Sequence, residues 1–389
     1  MLKRTAENAL WLSRYRVRTT VLACALTMHF ENLLDSPGKK QSSGQTANIS
    51  AERWLPCFLL QDIDHAELFS DETGELKSFE LSDPQSLLVS DNRSNHSVTG
   101  MLQQIMVHLT CCQDFLHNDI VEQLFSTCQQ FDHALTTCSD MHACINTLPA
   151  LDTALLVTDA MIEHRLPRSH MYHFIKAGEY LERANQAIRL IQMAEDEWFR
   201  EAPLLTLVSG DKLSNNKQAA ELNTTESVTA SDSATSSIAT TKRRARSALS
   251  RQGVRDLVLR IVGLTSLSTC TTERLQTAPG SIDVNLFNLI IQSQLQSQSL
   301  AFNLDGLCSD MSALDPSQSA VTIARSLLRR VAFVDNPLQT TDRESVQDLL
   351  DEYQYALEDI HQGLFDRYMR GSETPQFDNT PQLRAGNTR

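Results

Sequence analysis

Residues 174–191, FIKAGEYLERANQAIRLI, decide the fold. Phe174, Ala177, Leu181, Ala184, Ile188 and Ile191 recur at alternating spacings of three and four. That period predicts an α-helix with one narrow apolar face, on which the alanines let a partner helix come close. Glu182 and Arg183 sit beside the seam. On an exposed helix, Glu179 and Arg183 form an i, i+4 pair with the acid N-terminal, contributing only about 0.2–0.5 kcal/mol. A buried ion pair would instead fix register between helices, and removing one partner would cost about 3–5 kcal/mol.

Working outward, helix-period patterns fill most of the 389-residue chain. Residues 4–34 read as one long helix carrying Leu10, Ser13 or Arg14, Val17, Val21, Ala25 and Met28 as a stripe, stopped by Asp35-Ser-Pro-Gly. A second helix opens near Ser50 with Trp54, Leu55, Phe58 and Leu59 as its apolar anchor, and short pieces are expected over 63–69 and 79–89. Residues 101–112, 120–138, 142–164 and 169–200 follow with short connections, which makes an antiparallel bundle the economical packing. Helices are again expected over 252–269, 284–295, 299–314, 317–334 and 343–368. No sustained period-two pattern occurs, so the fold class is all-α.

The expected organisation is a first helical half over 1–168, a second long helix over 169–208 that opens the second half, and the rest of that half over 251–370. Residues 209–250 are rich in Ser, Thr, Asn and Ala and cannot bury enough apolar surface to offset their ordering, so they read as a disordered insert. The tail 371–389 reads as flexible.

Composition narrows the function. A net charge of −14 argues against a generic nucleic-acid binder, which needs a positive face to displace counterions. The basic run Lys242 to Arg246 lies inside the polar insert and reads as a solvated face. Nine cysteines, an odd number without a Cys-x-x-Cys, do not form a secreted disulfide framework. Charges interrupt the N-terminal apolar stretch, and no run reaches the roughly 18 residues of a membrane span. Together these features point to a soluble, cytoplasmic protein. His108, Cys111, Cys112 and His117 match no zinc spacing, and no phosphate loop or other catalytic motif occurs. Neither a metal nor another cofactor is expected.

Tyr15 and Arg18 recur as Tyr180 and Arg183 at one offset, 180 − 15 = 183 − 18 = 165 residues, each pair inside a long helix. The echo predicts a long-helix bundle built from two pseudo-repeated halves, with the two long helices meeting near a pseudo-twofold axis. Glu182 is then expected to pair with Arg18. Arg183 faces Val17 where a symmetric partner would carry an acid, leaving Glu7 and Glu179 as its candidate partners.

The segments RTAENALWLSRY at the start and AGEYLERANQAIRLI later resemble the two hallmark segments of the alpha-E family, also called DUF403, a helical domain with a conserved Glu-Arg motif. Trp54-Leu55 with Pro56, and the block Leu286 to Leu314 with its apolar run, its polar turn ending in Ser and its new helix, extend the similarity to essentially the whole chain. Val17-Arg18 in place of Glu-Arg, and Glu179 in place of Arg in Gly-Arg-Tyr, mark a divergent member. The resemblance implies as partners a circularly permuted ATP-grasp protein and a transglutaminase-like peptidase. It also implies a part in peptide ligation or modification, with a peptide as a possible ligand. The expected polar cluster is Glu182, Arg183, Arg18, Glu7, Asn8, Arg14, Tyr15, Tyr180 and Glu179. A non-catalytic partner is the leading reading. An enzyme with Glu182 as base and Arg18 or Arg183 holding a carboxylate is the second, and a ligand-free scaffold the third.

Overall fold

The computed structural model describes residues 3–35, 55–61, 86–138, 141–198, 258–261, 284–333 and 343–368. Among them there is no β-strand, and the protein is all-α. The helices are α1 (Lys3–Asp35), α2 (Leu55–Leu60), α3 (Val98–Cys112), α4 (Asn118–Thr136), α5 (Met141–Arg165), α6 (His170–Trp198), α7 (Val284–Phe287), α8 (Leu300–Leu314), α9 (Ser319–Phe333) and α10 (Arg343–Tyr368). No helix among the described residues is long and apolar enough to cross a membrane.

The two long helices α1 and α6 pack on each other at the centre. Around α1 lie α3 and α5, and around α6 lie α8 and α10, while α4 joins α3 to α5 and α9 joins α8 to α10. All six seam residues of α6, Phe174 to Ile191, are buried. The buried surface is far wider than one narrow face, because Ile175, Ala187, Leu190, Met193 and Ala194 are buried as well. Enclosure by α1 on one side and by α8 and α10 on others leaves α6 little solvent-facing surface.

Close approach of α1 and α6 depends on Gly178. A Cβ there would stand 2.3 Å from Ser13 Oγ and 2.4 Å from the Leu10 carbonyl oxygen. Ser13 turns its hydroxyl back onto Leu10 O at 3.0 Å, so the side chain opposite Gly178 is both small and satisfied within its own helix.

Several boundaries differ from the periodicity. Of the helix expected over 79–89, residues 79–85 lie outside the described residues and the rest belongs to a π turn, Ser86–Ser90, and the one over 284–295 is α7 followed by a π turn, Asn288–Gln292. Leu295, expected within a helix, lies in the following turn and is 96% exposed. Both π turns feed the same device. The Asp91 amide donates to Ser86 O and the Ser293 amide to Asn288 O, each at 2.9 Å. Ser97 Oγ then donates to Asp91 O at 2.5 Å and accepts from the Gly100 amide at 2.9 Å. Ser299 Oγ donates to Ser293 O and accepts from the Phe302 amide at 3.1 Å. The serines therefore cap α3 and α8 at an offset of 299 − 97 = 202 residues. Trp54, the piece over 63–69, the insert 209–250 and the tail 371–389 lie outside the described residues, as does most of 252–269, of which residues 258–261 are helical.

Candidate functional site

One turn beyond Gly178, α6 directs Glu182 into the interface with α1, where it is fully buried. Arg14 and Arg18 lie one turn apart on α1, the spacing at which two helical side chains share a face. They divide the carboxylate between them: Arg14 Nε donates to Oε2 at 2.8 Å and Arg18 Nε to Oε1 at 2.6 Å. Gln186 Nε2 adds a donor to Oε1 at 3.2 Å. Gln186 also approaches the Leu60 carbonyl at 3.4 Å, and Arg189 donates to the same oxygen at 3.3 Å, which ties α2 to α6. Burial by itself would raise the Glu182 pKa. The charges of Arg18, Arg14 and Arg189 outweigh it and hold the carboxyl well below the usual range. Burial likewise lowers the Arg14 pKa, against the attraction of Glu182.

Outside this ion pair runs a ladder of four rings. His108 of α3 stacks on Tyr15 at 5.6 Å, Tyr15 meets Trp11 at 5.8 Å, and His361 of α10 meets Trp11 edge-on at 5.8 Å. Arg14 lies over Trp11 at 4.5 Å and Arg18 over Tyr15 at 6.0 Å. Asn8 Nδ2 donates to Arg4 O at 2.5 Å, so its Oδ1 faces His108 and accepts from Nδ1–H at 2.8 Å. His108 Nε2 is then an acceptor. Burial lowers the His108 pKa. Burial, followed by Arg14, pushes His361 down to about 4. Neutral His361 accepts from Arg14 NH1 through Nε2 at 3.4 Å, and its Nδ1–H remains a donor.

A second polar cluster surrounds Glu179, which is buried like Glu182. Arg183 NH1 donates to Glu179 Oε1 at 2.6 Å, and Lys176 Nζ to Oε2 at 2.8 Å. Burial would raise the Glu179 pKa, but Arg183, Lys176 and Arg16 prevail and lower it. Asp159 of α5 pairs with Arg16 and approaches Arg183 at 3.9 Å. Buried Arg16 has Nε and NH1 without hydrogen-bond partners. Burial lowers its pKa to about 10, with Glu179 opposing. The Tyr180 ring lies where a Cβ on Gly306 of α8 would come within 2.6 Å of it, and Lys176 lies over that ring at 4.9 Å. His173 Nδ1 pairs with Asp310 Oδ1 at 2.6 Å.

Eight of the nine residues singled out from sequence thus divide in two. Arg14, Arg18, Tyr15 and Glu182 meet in one cluster with Asn8 behind them, whereas Arg183, Glu179 and Tyr180 form the other. The Glu182–Arg18 pairing is present, and Arg183 takes Glu179 as its partner in a buried rather than exposed i, i+4 pair. Glu7 makes no ion pair among the described residues and belongs to neither cluster. Trp11, His361, Lys176, Arg16 and Asp159 escaped the sequence reading. Trp11 could have been found three residues before Arg14 on the same face, but His361 lies 347 residues from Arg14 and carries no local signal. No group of three or more His, Cys, Asp or Glu converges as a metal site among the described residues. The eight described cysteines are free, with Cys111 exposed and Cys112 buried.

These features define an all-α bundle centred on a buried Glu-Arg junction. The chain belongs to the Alpha-E family, described as a predicted alpha-helical domain with a conserved ER motif, which it matches over residues 1–260. The match takes in both hallmark helices and ends before the block Leu286 to Leu314. No curated protein matches the chain, and no solved structure does.

Proposed function

We propose that this protein is a non-catalytic helical subunit of an ATP-grasp-type peptide ligation or modification system, and that it binds the ligase or its peptide substrate between its two halves. The partners are a circularly permuted ATP-grasp protein and a transglutaminase-like peptidase. The observation that carries the non-catalytic part is the state of Glu182. A general base must be reachable and titrate near the working pH. Glu182 is fully buried, both oxygens are held by guanidiniums, and its pKa is pushed away from neutrality. The reading with Glu182 as base and Arg18 or Arg183 holding a carboxylate is weaker on the same ground, since Arg183 is turned toward Glu179 and Asp159.

Two pseudo-repeated halves are part of the proposal. The Asn8–His108 pair and the His173–Asp310 pair stand at offsets of 173 − 8 = 165 and 310 − 108 = 202 residues, the same two offsets as the Tyr-Arg echo and the capping serines. The four-ring ladder joins α3 of one half to α10 of the other, which supports a binding groove at the junction.

Copurification tests the reading. Tagged protein is expected to retain the ATP-grasp protein from cells of its source, and a Glu182→Asp variant that keeps the charge is expected to retain it too. Turnover of a peptide by the purified chain alone, abolished by Glu182→Gln, would establish the enzyme reading instead.

A further inference from the structure

The half-exposed edge of α1 carries Trp11, Tyr15 and Arg18. Displaced by 165 residues, the half-exposed edge of α6 carries Lys176, Tyr180 and Arg183. The floors of the two grooves are alike, each a tyrosine ring accompanied by cationic side chains. The flanks differ. Displaced by 202 residues, His108 becomes Asp310 and His361 becomes Asp159. In the α6 groove the chain itself therefore supplies carboxylates, with Asp159 paired to Arg16 and near Arg183, and Asp310 on His173. In the α1 groove both flanks are neutral imidazoles, and the chain's own carboxylate there is the buried Glu182, which Arg14 and Arg18 share. Arg14 there turns NH1 toward His361, and burial first, then the charge of Arg14, depresses the protonation of that ring.

We propose that the groove over Trp11, Arg14 and Tyr15, between His108 and His361, binds a carboxylate supplied from outside. The ligand is a peptide ending in a large apolar or aromatic residue. Its free C-terminal carboxylate sits toward Arg14 and the His361 Nδ1–H, its last side chain lies on the Trp11 and Tyr15 rings, and its amide N–H donates to His108 Nε2. This deepens the peptide-binding part of the function proposed above and does not depend on the ATP-grasp partner. Both sources of a carboxylate, a C-terminus and an acidic side chain, share the guanidinium chemistry. The geometry favours the C-terminus because the rings adjoin the arginine within one helical turn.

Titration calorimetry on the full purified chain separates the outcomes. The probes are Gly-Gly-Phe as the free acid, Gly-Gly-Phe amide and Gly-Glu-Phe amide. The free acid is expected to bind at least tenfold more tightly than either amide. His361→Asp, which builds in the carboxylate, is expected to weaken free-acid binding at least tenfold, and Lys176→Met in the other groove is expected to leave it unchanged. Should His361→Asp fail to fold, Trp11→Leu takes its place and is also expected to weaken binding. Equal affinity for acid and amide, absence of binding at millimolar peptide, tighter binding of Gly-Glu-Phe amide, or an equal loss through Lys176→Met would each overturn the proposal. Copurification of the ligase by a chain that binds no peptide would leave the partner reading standing while removing this one.

Discussion

Arg18 reaches across 164 residues of sequence to donate through Nε to Glu182 at 2.6 Å. Since Arg14 holds the other oxygen, Glu182 joins two successive turns of α1 to a single turn of α6. A helix that slid by one turn would lose one of the two guanidiniums, so the junction fixes register as well as contact. Glu182→Gln should destabilise the protein by about 3–5 kcal/mol, because it leaves buried cations without their counter-charge. Equilibrium denaturation in urea measures this. Loss under about 1 kcal/mol would show that the junction is not a register device.

Gly178 sets the distance at which that junction can form. Its absent Cβ would meet a backbone carbonyl, Leu10 O, that no rotamer change can move. Gly178→Ala should therefore cost about 2–3 kcal/mol or more through separation of α1 and α6. Combined with Glu182→Gln, it should cost less than the sum, since both act on one interface. A double-mutant cycle in denaturant checks the non-additivity.

The capping serines give the opposite expectation. Ser97→Ala and Ser299→Ala should each cost about 1 kcal/mol by removing the hydroxyl that caps α3 or α8. Because the two caps belong to separate helix groups, the double variant should show an additive loss within about 0.5 kcal/mol.

Acid should weaken the fold through His361. Its pKa falls to about 4 in the folded protein, from an ordinary 6.5, through burial first and then Arg14, with Arg18 adding to the effect and Glu182 opposing it. The unfolded chain binds the proton more readily, so this contribution is complete above pH 6.5 and is lost as pH falls toward 4. After allowance for solvent screening it amounts to about 1–2 kcal/mol. The His361→Asn variant should show a flatter stability profile between pH 6.5 and 4. An unchanged slope would mean that another group dominates this window.

Much of the helical architecture was legible because it is written locally. The three-four spacing of Phe174 to Ile191 identified α6, and the Tyr-Arg echo was enough to place Arg18 opposite Glu182. What was not legible has physical causes. Periodicity reports which residues avoid water, not how many neighbours enclose them, so α6 was read with one narrow face although it is buried over a much wider arc. The C-terminal ends of the 79–89 and 284–295 segments could not be read from apolar spacing. They are set by π turns and by Ser97 and Ser299 bonding six residues back. The site was half legible. Arg14, Tyr15 and Glu182 are helical neighbours of recognisable residues, whereas His361 and Asp159 enter from α10 and α5 by tertiary packing alone.

The central claim, that Glu182 is a permanently ionised structural anion rather than a base, is tested most directly by its own titration. Carbon-13 NMR of the labelled Glu182 side-chain carboxyl, followed from pH 8 down to the onset of acid unfolding, should show no protonation step through the ordinary carboxylate range. A midpoint at or above 4.5, and above all one near neutrality, would contradict the account and return Glu182 to the catalytic candidates.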